Sequence, residues 1–348
     1  MKKLTIKLLG LAVLAIPFFT SCEDEGGEEP KSDVVVNLEK GIMNGSLEEN
    51  YTLDASVTYT LTGTFLVKEG AKLTIPAGTK VLVDTATGVP REKYIAVLMG
   101  GKIEINGTAA NPVVMGSKRT ARAKNGDWGG ILICGKAKST AGVNVEAEVG
   151  GLLYAGTDTT DNSGTINYLV LLNSGTLITE GSQFNGLSLY AVGSGTSISN
   201  VSVKLGTDDG VEFFGGSVSV SNIYLEDNDD DAIDWTEGWN GTVTNSYVMH
   251  TMKFSTVVEA DKENGHPKLI NLTAVSTVGG TALQFKAYSG AVIENINLSG
   301  YDKIIDMIKA DNPLSEVMID GAPADTTASY NTGTKVDVSG WTWKDATL

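Results

Sequence analysis

The sequence predicts an all-β chain wound as a right-handed parallel β-helix, with about 22–26 residues per coil. Two observations lead there. Five segments share one pattern: Ile198-Ser-Asn200-Val-Ser-Val, Val220-Ser-Asn222-Ile-Tyr-Leu, Val243-Thr-Asn245-Ser-Tyr-Val, Leu269-Ile-Asn271-Leu-Thr-Ala and Ile293-Glu-Asn295-Ile-Asn-Leu, with Asn steps of 22, 23, 26 and 24 residues. Between them, short Val/Ile/Leu/Thr runs alternate with Gly, Asn, Asp and Ser clusters, the pattern of strands and turns rather than helices. A β-sandwich would not repeat at such a period. Stacked coils lie about 4.8 Å apart, so an inward Asn at a constant bend can bond the Asn above and below. Asn167 reads as an earlier rung, followed by an insertion near Thr176 to Asn185.

Taken in order, the chain opens with Met1-Lys2-Lys3 and Lys7, then a twelve-residue apolar stretch from Leu8 to Phe19. That stretch is too short to span a bilayer and fits a signal peptide over residues 1–21. It ends in Thr20-Ser21-Cys22, which resembles a lipoprotein cleavage box and implies acylation of Cys22. Glu23-Asp24-Glu25-Gly-Gly-Glu28-Glu29 follows and resembles the acidic export signal of Bacteroidota surface lipoproteins. Residues 22–50 are expected to form the lipidated N-terminus and an acidic tether, residues 51–309 the β-helix, and residues 310–348 a cap over its last open strands. Cys134, the other of two cysteines, would have no partner once Cys22 is acylated and reads as a small core residue.

The earlier coils are less regular: Val67 to Thr79, Gly100 to Ser117 and Gly126-Asp-Trp-Gly-Gly-Ile-Leu-Ile-Cys-Gly-Lys-Ala137. With Thr207-Asp-Asp-Gly-Val-Glu-Phe-Phe-Gly-Gly216 and Asp231-Ala-Ile-Asp-Trp-Thr-Glu-Gly-Trp239, they resemble a family of uncharacterised β-helix lipoproteins common in Bacteroidota and similar in fold to the pectin-lyase-like superfamily. The resemblance covers roughly residues 55 to 345. It implies a fold and an envelope location, and no established activity; the Cys22 box and the acidic run add the expectation of a lipid anchor in the outer membrane facing the cell exterior.

Aligning the coils on the Asn positions brings out a second column: Glu212, Asp234, Glu259, Gln284 and Asp306, most of them flanked by apolar residues. Strand side chains alternate faces, so if the flankers point to the core this column points away from it. Asp208-Asp209 and Asp230-Asp231 precede it at a common offset. Asp208, Asp209, Glu212, Asp230, Asp231, Asp234 and Glu259 therefore form the candidate binding strip. Three readings compete. Clustered carboxylates suit a hard cation, with Ca²⁺ at Asp208, Asp209, Asp230 and Asp231, although no EF-hand loop is present. Glu212 and Asp234, one coil apart, could act as paired carboxyls in glycoside hydrolysis, or a lyase could use Lys286 as base. Asp227 to Asp231 could also be an ordinary Asp-rich turn or solvated exterior.

A net charge of −16 argues against nucleic acid, because phosphate binding needs cationic side chains to displace counterions. His250 and His266, the only two histidines, share no ligand spacing, which removes a zinc site and a Ser-His-Asp triad. Trp128, Tyr190 and Trp239 read as packing residues more readily than as sugar platforms. The leading expectation is a surface-exposed outer-membrane lipoprotein serving as a binding or adhesion module for glycans or an envelope partner. A polysaccharide-degrading hydrolase or lyase is the alternative, and a purely structural envelope protein the third.

Overall fold

The computed structural model describes residues 32–261, 265–286, 289–307 and 314–348. The signal segment, Cys22 and the acidic run to Glu29 lie outside the described residues. From Ile42 to Ile319 the described residues are wound as a right-handed parallel β-helix. Each regular coil contributes three strand legs. Two are halves of one strand bent at a left-handed residue: Ser219–Glu226 bends at Asn222 (φ 56°). It stays in register with Ser197–Lys204 and Thr242–His250 on both sides of the bend. The third leg is short, as in Val211–Phe214, which lies between Leu187–Tyr190 and Ile233–Thr236.

The core follows from strand alternation. Val211 and Phe213, Ile233 and Trp235, and Leu283 and Phe285 are wholly buried, while the residue between each pair faces the opposite side. Trp239 fills the interior, stacked at 4.0 Å on Phe213, and its Nε1 donates to the carbonyl of Val218 at 3.0 Å. Trp128 Nε1 donates to the Leu172 carbonyl at 3.0 Å. Both indoles are therefore core groups with a satisfied polar tip.

The Asn ladder is continuous. Each side-chain amide donates to the Oδ1 of the Asn one coil earlier: Asn222 to Asn200 at 3.1 Å, Asn245 to Asn222 at 2.9 Å, Asn271 to Asn245 at 2.7 Å and Asn295 to Asn271 at 2.8 Å. All five residues have φ between 56° and 60°. Asn occupies this region more cheaply than other residues bearing a Cβ. Two details depart from the sequence expectation. The ladder is half-buried and lines the flank, so it does not turn into the apolar core. Asn167 sits one residue early: it pairs with Ser199, and the left-handed residue of its coil is Tyr168 (φ 51°). Asn167 Oδ1 still accepts from Asn200 at 2.7 Å.

The ends also differ. Within the stretch expected to be tether, the helix Asp33–Glu39 buries Val34, Val35 and Leu38 against the core. Strand Ile42–Leu47 pairs in parallel with Thr58–Val67. The solenoid thus begins at Ile42, because this segment carries enough apolar side chains to join the first coil. At the other end, Val317–Ile319 and Ala322–Pro323 finish the stack as a small hairpin beyond Ala291–Ser299. The remainder does not stop there as a cap. It returns along the ladder flank: Asn297 Nδ2 donates to the carbonyls of Asn331 and Gly333, and Val336 N donates to Thr273 Oγ1 at 2.9 Å. Trp343 then packs against Val114 and Val170.

Candidate functional site

The strand register builds one unbroken outward column on the short-strand face. It runs Leu66, Ala96, Leu132, Ser188, Glu212, Asp234, Glu259, Gln284 and Asp306. Its character changes midway. Ala96 and Leu132 are covered by Ala147, Val149, Leu152 and Phe184, which come from two insertions. The first contains the antiparallel hairpin Val145–Glu146 with Leu153–Tyr154 and is tied down at Glu237, whose carboxylate accepts from Tyr154 Oη and Ser139 Oγ, both at 2.7 Å. The second is the hairpin Leu177–Thr179 with Ser182–Gln183, where the sequence places an insertion. Beyond Ser188 the column becomes acidic and is left open as a cleft of about 500 Å³ between these hairpins.

All seven candidate binding residues line this cleft, together with Lys286. Four are far from a solvated exterior: Asp209, Asp231, Asp234 and Glu259 are each no more than 8% exposed, while Asp208 and Glu212 are half-buried and Asp230 is exposed. The turn aspartates are partly committed to backbone. Asp209 Oδ1 accepts from Asp231 N at 2.9 Å, and Asp231 Oδ1 accepts from the Thr256 amide and hydroxyl at 2.7 and 2.6 Å. Asp227 does the same for Thr251, at 2.6 Å from both its N and Oγ1, outside the cleft. These bonds explain part of the Asp enrichment as turn chemistry. Glu212 holds no turn backbone, and the Asp234 carboxyl is helped only by the Trp235 backbone amide. Glu212 Oε2 accepts from Asn185 Nδ2 at 2.6 Å, while Asp234 Oδ1 is buried with no hydrogen-bond partner. Of the four carboxylates expected to hold Ca²⁺, oxygens of Asp208, Asp209 and Asp230 converge within 4.8 Å; a second convergence joins Asp209, Glu212 and Asp234. Lys286 ion-pairs with Glu259.

Burial pushes the carboxyls of Asp208, Asp209, Glu212 and Asp234 well above the usual range, with neighbouring carboxylates adding to it, and moves Asp231 to about 8. Burial also raises Glu259, against the opposing pull of Lys286. A raised carboxyl binds its proton more tightly in the folded chain, so its contribution is full below the unfolded value near 4 and is lost as pH rises through the folded value. The protein in EDTA should therefore melt several degrees higher at pH 5 than at pH 8. His250 works the other way below about 6.5, since burial lowers it to about 4, but it is one group against six. A melting temperature that is flat or falls from pH 8 to pH 5 would contradict this.

The other candidates lie elsewhere. His250 is buried and stacked on Phe254, and His266 Nε2 meets Glu316 at 2.8 Å. Cys134 is wholly buried, and burial pushes its thiol up to about 12. Tyr190 stacks on Phe214 under the first insertion and presents no platform. Three cleft residues, and one that supports the cleft from behind Glu212, escape the sequence pattern. Asp261 follows Glu259 by two and shares its side of the sheet, a signal that was readable. Glu148 and Gln183 reach the cleft from the insertions, where no periodicity marks them; Gln183 donates to Asp208 at 3.0 Å. Asn185, which holds Glu212, is equally unmarked. A second hollow of about 480 Å³ lies between the Asn ladder and the returning C-terminal segment, without converging charge.

Residues 45–340 match the family described as pectate-lyase like beta helix domain. Among solved structures, the chain is similar to the Dettilon tailspike protein (gp208) at 11% identity, over 82% of this chain and 63% of that one, with a TM-score of 0.29. The chain thus spans under two thirds of the tailspike's length. No curated protein matches it.

Proposed function

The chain belongs to the pectate-lyase like beta helix domain family, and from that premise we propose that it is a glycan-binding module of the bacterial surface, lipid-anchored through Cys22 to the outer membrane. One observation carries the reading: a cleft of about 500 Å³, walled by two hairpins, into which at least seven carboxylates converge on a rigid sheet. Its volume is that of ordinary ligand sites, and its lining is polar, as hydroxyl-rich ligands require. The family's description by likeness to pectate lyase supports a carbohydrate ligand. The basic, apolar and Ser21-Cys22 succession at the N-terminus supports the lipid anchor, and Glu23 to Glu29 supports an outward-facing position.

The side-by-side placement of Glu212 and Asp234 in one cleft favours hydrolysis or elimination as the second reading. Hydrolysis needs one carboxyl kept protonated and one ionised. Here burial and mutual repulsion raise both, and Lys286 is engaged with Glu259 rather than poised as a base. Binding is the better-supported use. A carbohydrate array probed with the intact protein, with and without Ca²⁺, should give selective retention on a subset of glycans. Absence of retention in both conditions would sink the glycan reading, and release of reducing sugar or unsaturated product from a retained glycan would move the function to catalysis.

A further inference from the structure

We propose that the hollow between the Asn ladder and the returning C-terminal segment is a second binding groove, built for an uncharged chain of equatorially linked sugars. Its volume of about 480 Å³ is that of ordinary ligand sites. One wall is formed by Asn222, Asn245 and Asn271, the other by the segment from Thr334 to Asp337 and by Trp341. The ladder leaves one donor of each Asn unused. Nδ2 carries two hydrogens, and among the described residues these three Asn use only the one bonded to the preceding rung. Asn295 shows where the second hydrogen points: its Nδ2 reaches both Asn271 Oδ1 at 2.8 Å and the Thr334 carbonyl at 3.0 Å. The other three share its ladder bond and its φ, between 56° and 60°. Their spare N–H groups therefore emerge on the same flank, where the returning segment stands off and leaves the hollow.

This row fixes the repeat of the ligand. The donors stand about 4.8 Å apart, one per coil. An extended peptide laid along the axis presents like-facing carbonyls roughly 6.8 Å apart and falls out of step after one contact. A straight chain of pyranose rings carries hydroxyl and ring oxygens at close to the coil spacing. Trp341 supplies the second element. It is half-buried and held against Trp343, with ring centroids 5.8 Å apart, and it gives the hollow an apolar face for a sugar ring to cover. The exposed side chains of Lys335 and Asp337 bring one charge of each sign, which favours an uncharged ligand. The groove is preformed. Thr334 N donates to Asn295 Oδ1 at 2.7 Å and Val336 N to Thr273 Oγ1 at 2.9 Å on one side, and Lys204 holds Asp345 at 3.1 Å on the other. Binding therefore has little to order.

The inference goes beyond the acidic cleft and does not rest on it: the cleft lies on the short third leg, the groove at the bend between the other two. Two sites on one rigid solenoid would make retention on a glycan surface bivalent, so loss of either lowers it beyond that site's own affinity. The test therefore uses short soluble probes. The intact protein is titrated with cellohexaose, xylohexaose and hexaglycine, followed by calorimetry and tryptophan fluorescence. Trp128, Trp235, Trp239 and Trp343 are buried, so a change in emission reports Trp341. At least one hexasaccharide should bind with a Kd on the order of 1 mM or tighter and change the emission, and hexaglycine should do neither. Trp341→Ala should weaken binding about tenfold. Thr334→Trp, which fills the hollow from an exposed position without touching the ladder, should do the same if Trp341→Ala loosens the returning segment. A blank glycan array beside a positive titration would sink the cleft reading and leave the groove standing. No hexasaccharide binding, binding of hexaglycine instead, or hexasaccharide binding undiminished by both groove variants overturns the proposal.

Discussion

Asn245→Ala is expected to destabilise the solenoid by about 3 kcal/mol in urea unfolding, and Asn245→Gly by roughly half as much. The residue stands mid-ladder with φ 58°, a conformation that costs a side chain with a Cβ about 1–2 kcal/mol. Asn offsets this through local hydrogen bonding, which alanine lacks. Its amide donates to Asn222 at 2.9 Å, and its Oδ1 accepts from Asn271 at 2.7 Å. Each such bond contributes about 0.5–1.5 kcal/mol, and losing both leaves the two neighbours half-buried without their partner. Glycine removes the backbone cost and keeps the lost bonds, so comparing the two variants separates the terms. Equal effects would show that left-handed strain contributes nothing, and losses below about 0.5 kcal/mol in both would show that the ladder merely accompanies the bend. Because coils contact only their neighbours, the weakness should propagate as a loss of cooperativity at the centre of the stack.

That ladder is also why the fold was legible. A bend that admits only Gly, Asn and few other residues repeats its signature in every coil, and the alternation around it then locates the core. The same alternation placed Glu212, Asp234, Glu259, Gln284 and Asp306 in one column, which the strand register reproduces residue for residue. What the repeat could not carry was everything aperiodic. The covering hairpins have no counterpart in other coils, so nothing marked Glu148 or Gln183 as cleft residues, or indicated that an outward column would be enclosed. Asn167 misled by one position because its coil bends at Tyr168, a residue type that gives no hint of positive φ. The returning C-terminal segment is fastened by Trp343 and by single side-chain bonds to backbone, contacts that leave no periodic trace.

The double substitution Glu212→Gln with Asp234→Asn should have the largest functional effect. The two carboxyls occupy paired positions on adjacent strands, about 4.8 Å apart. Two ionised groups at that separation repel by about 3 kcal/mol at an effective dielectric constant of 20. Protonation relieves this at low pH, and a cation or a ligand donor relieves it at high pH. The amides keep shape and hydrogen-bonding capacity while removing both charges. Stability in EDTA at pH 8 should hold or rise by about 1–3 kcal/mol, whereas any recognition that depends on these acids should disappear.

The measurement that bears most directly on the acidic cleft as a working site is therefore a paired one. Melting temperature in EDTA at pH 8 and glycan retention are recorded on the same preparations of wild type and double variant. The cleft reading predicts a variant at least as stable as the wild type with retention reduced tenfold or more. A variant that melts several degrees lower while retaining glycans undiminished would show that Glu212 and Asp234 serve the fold and not a ligand.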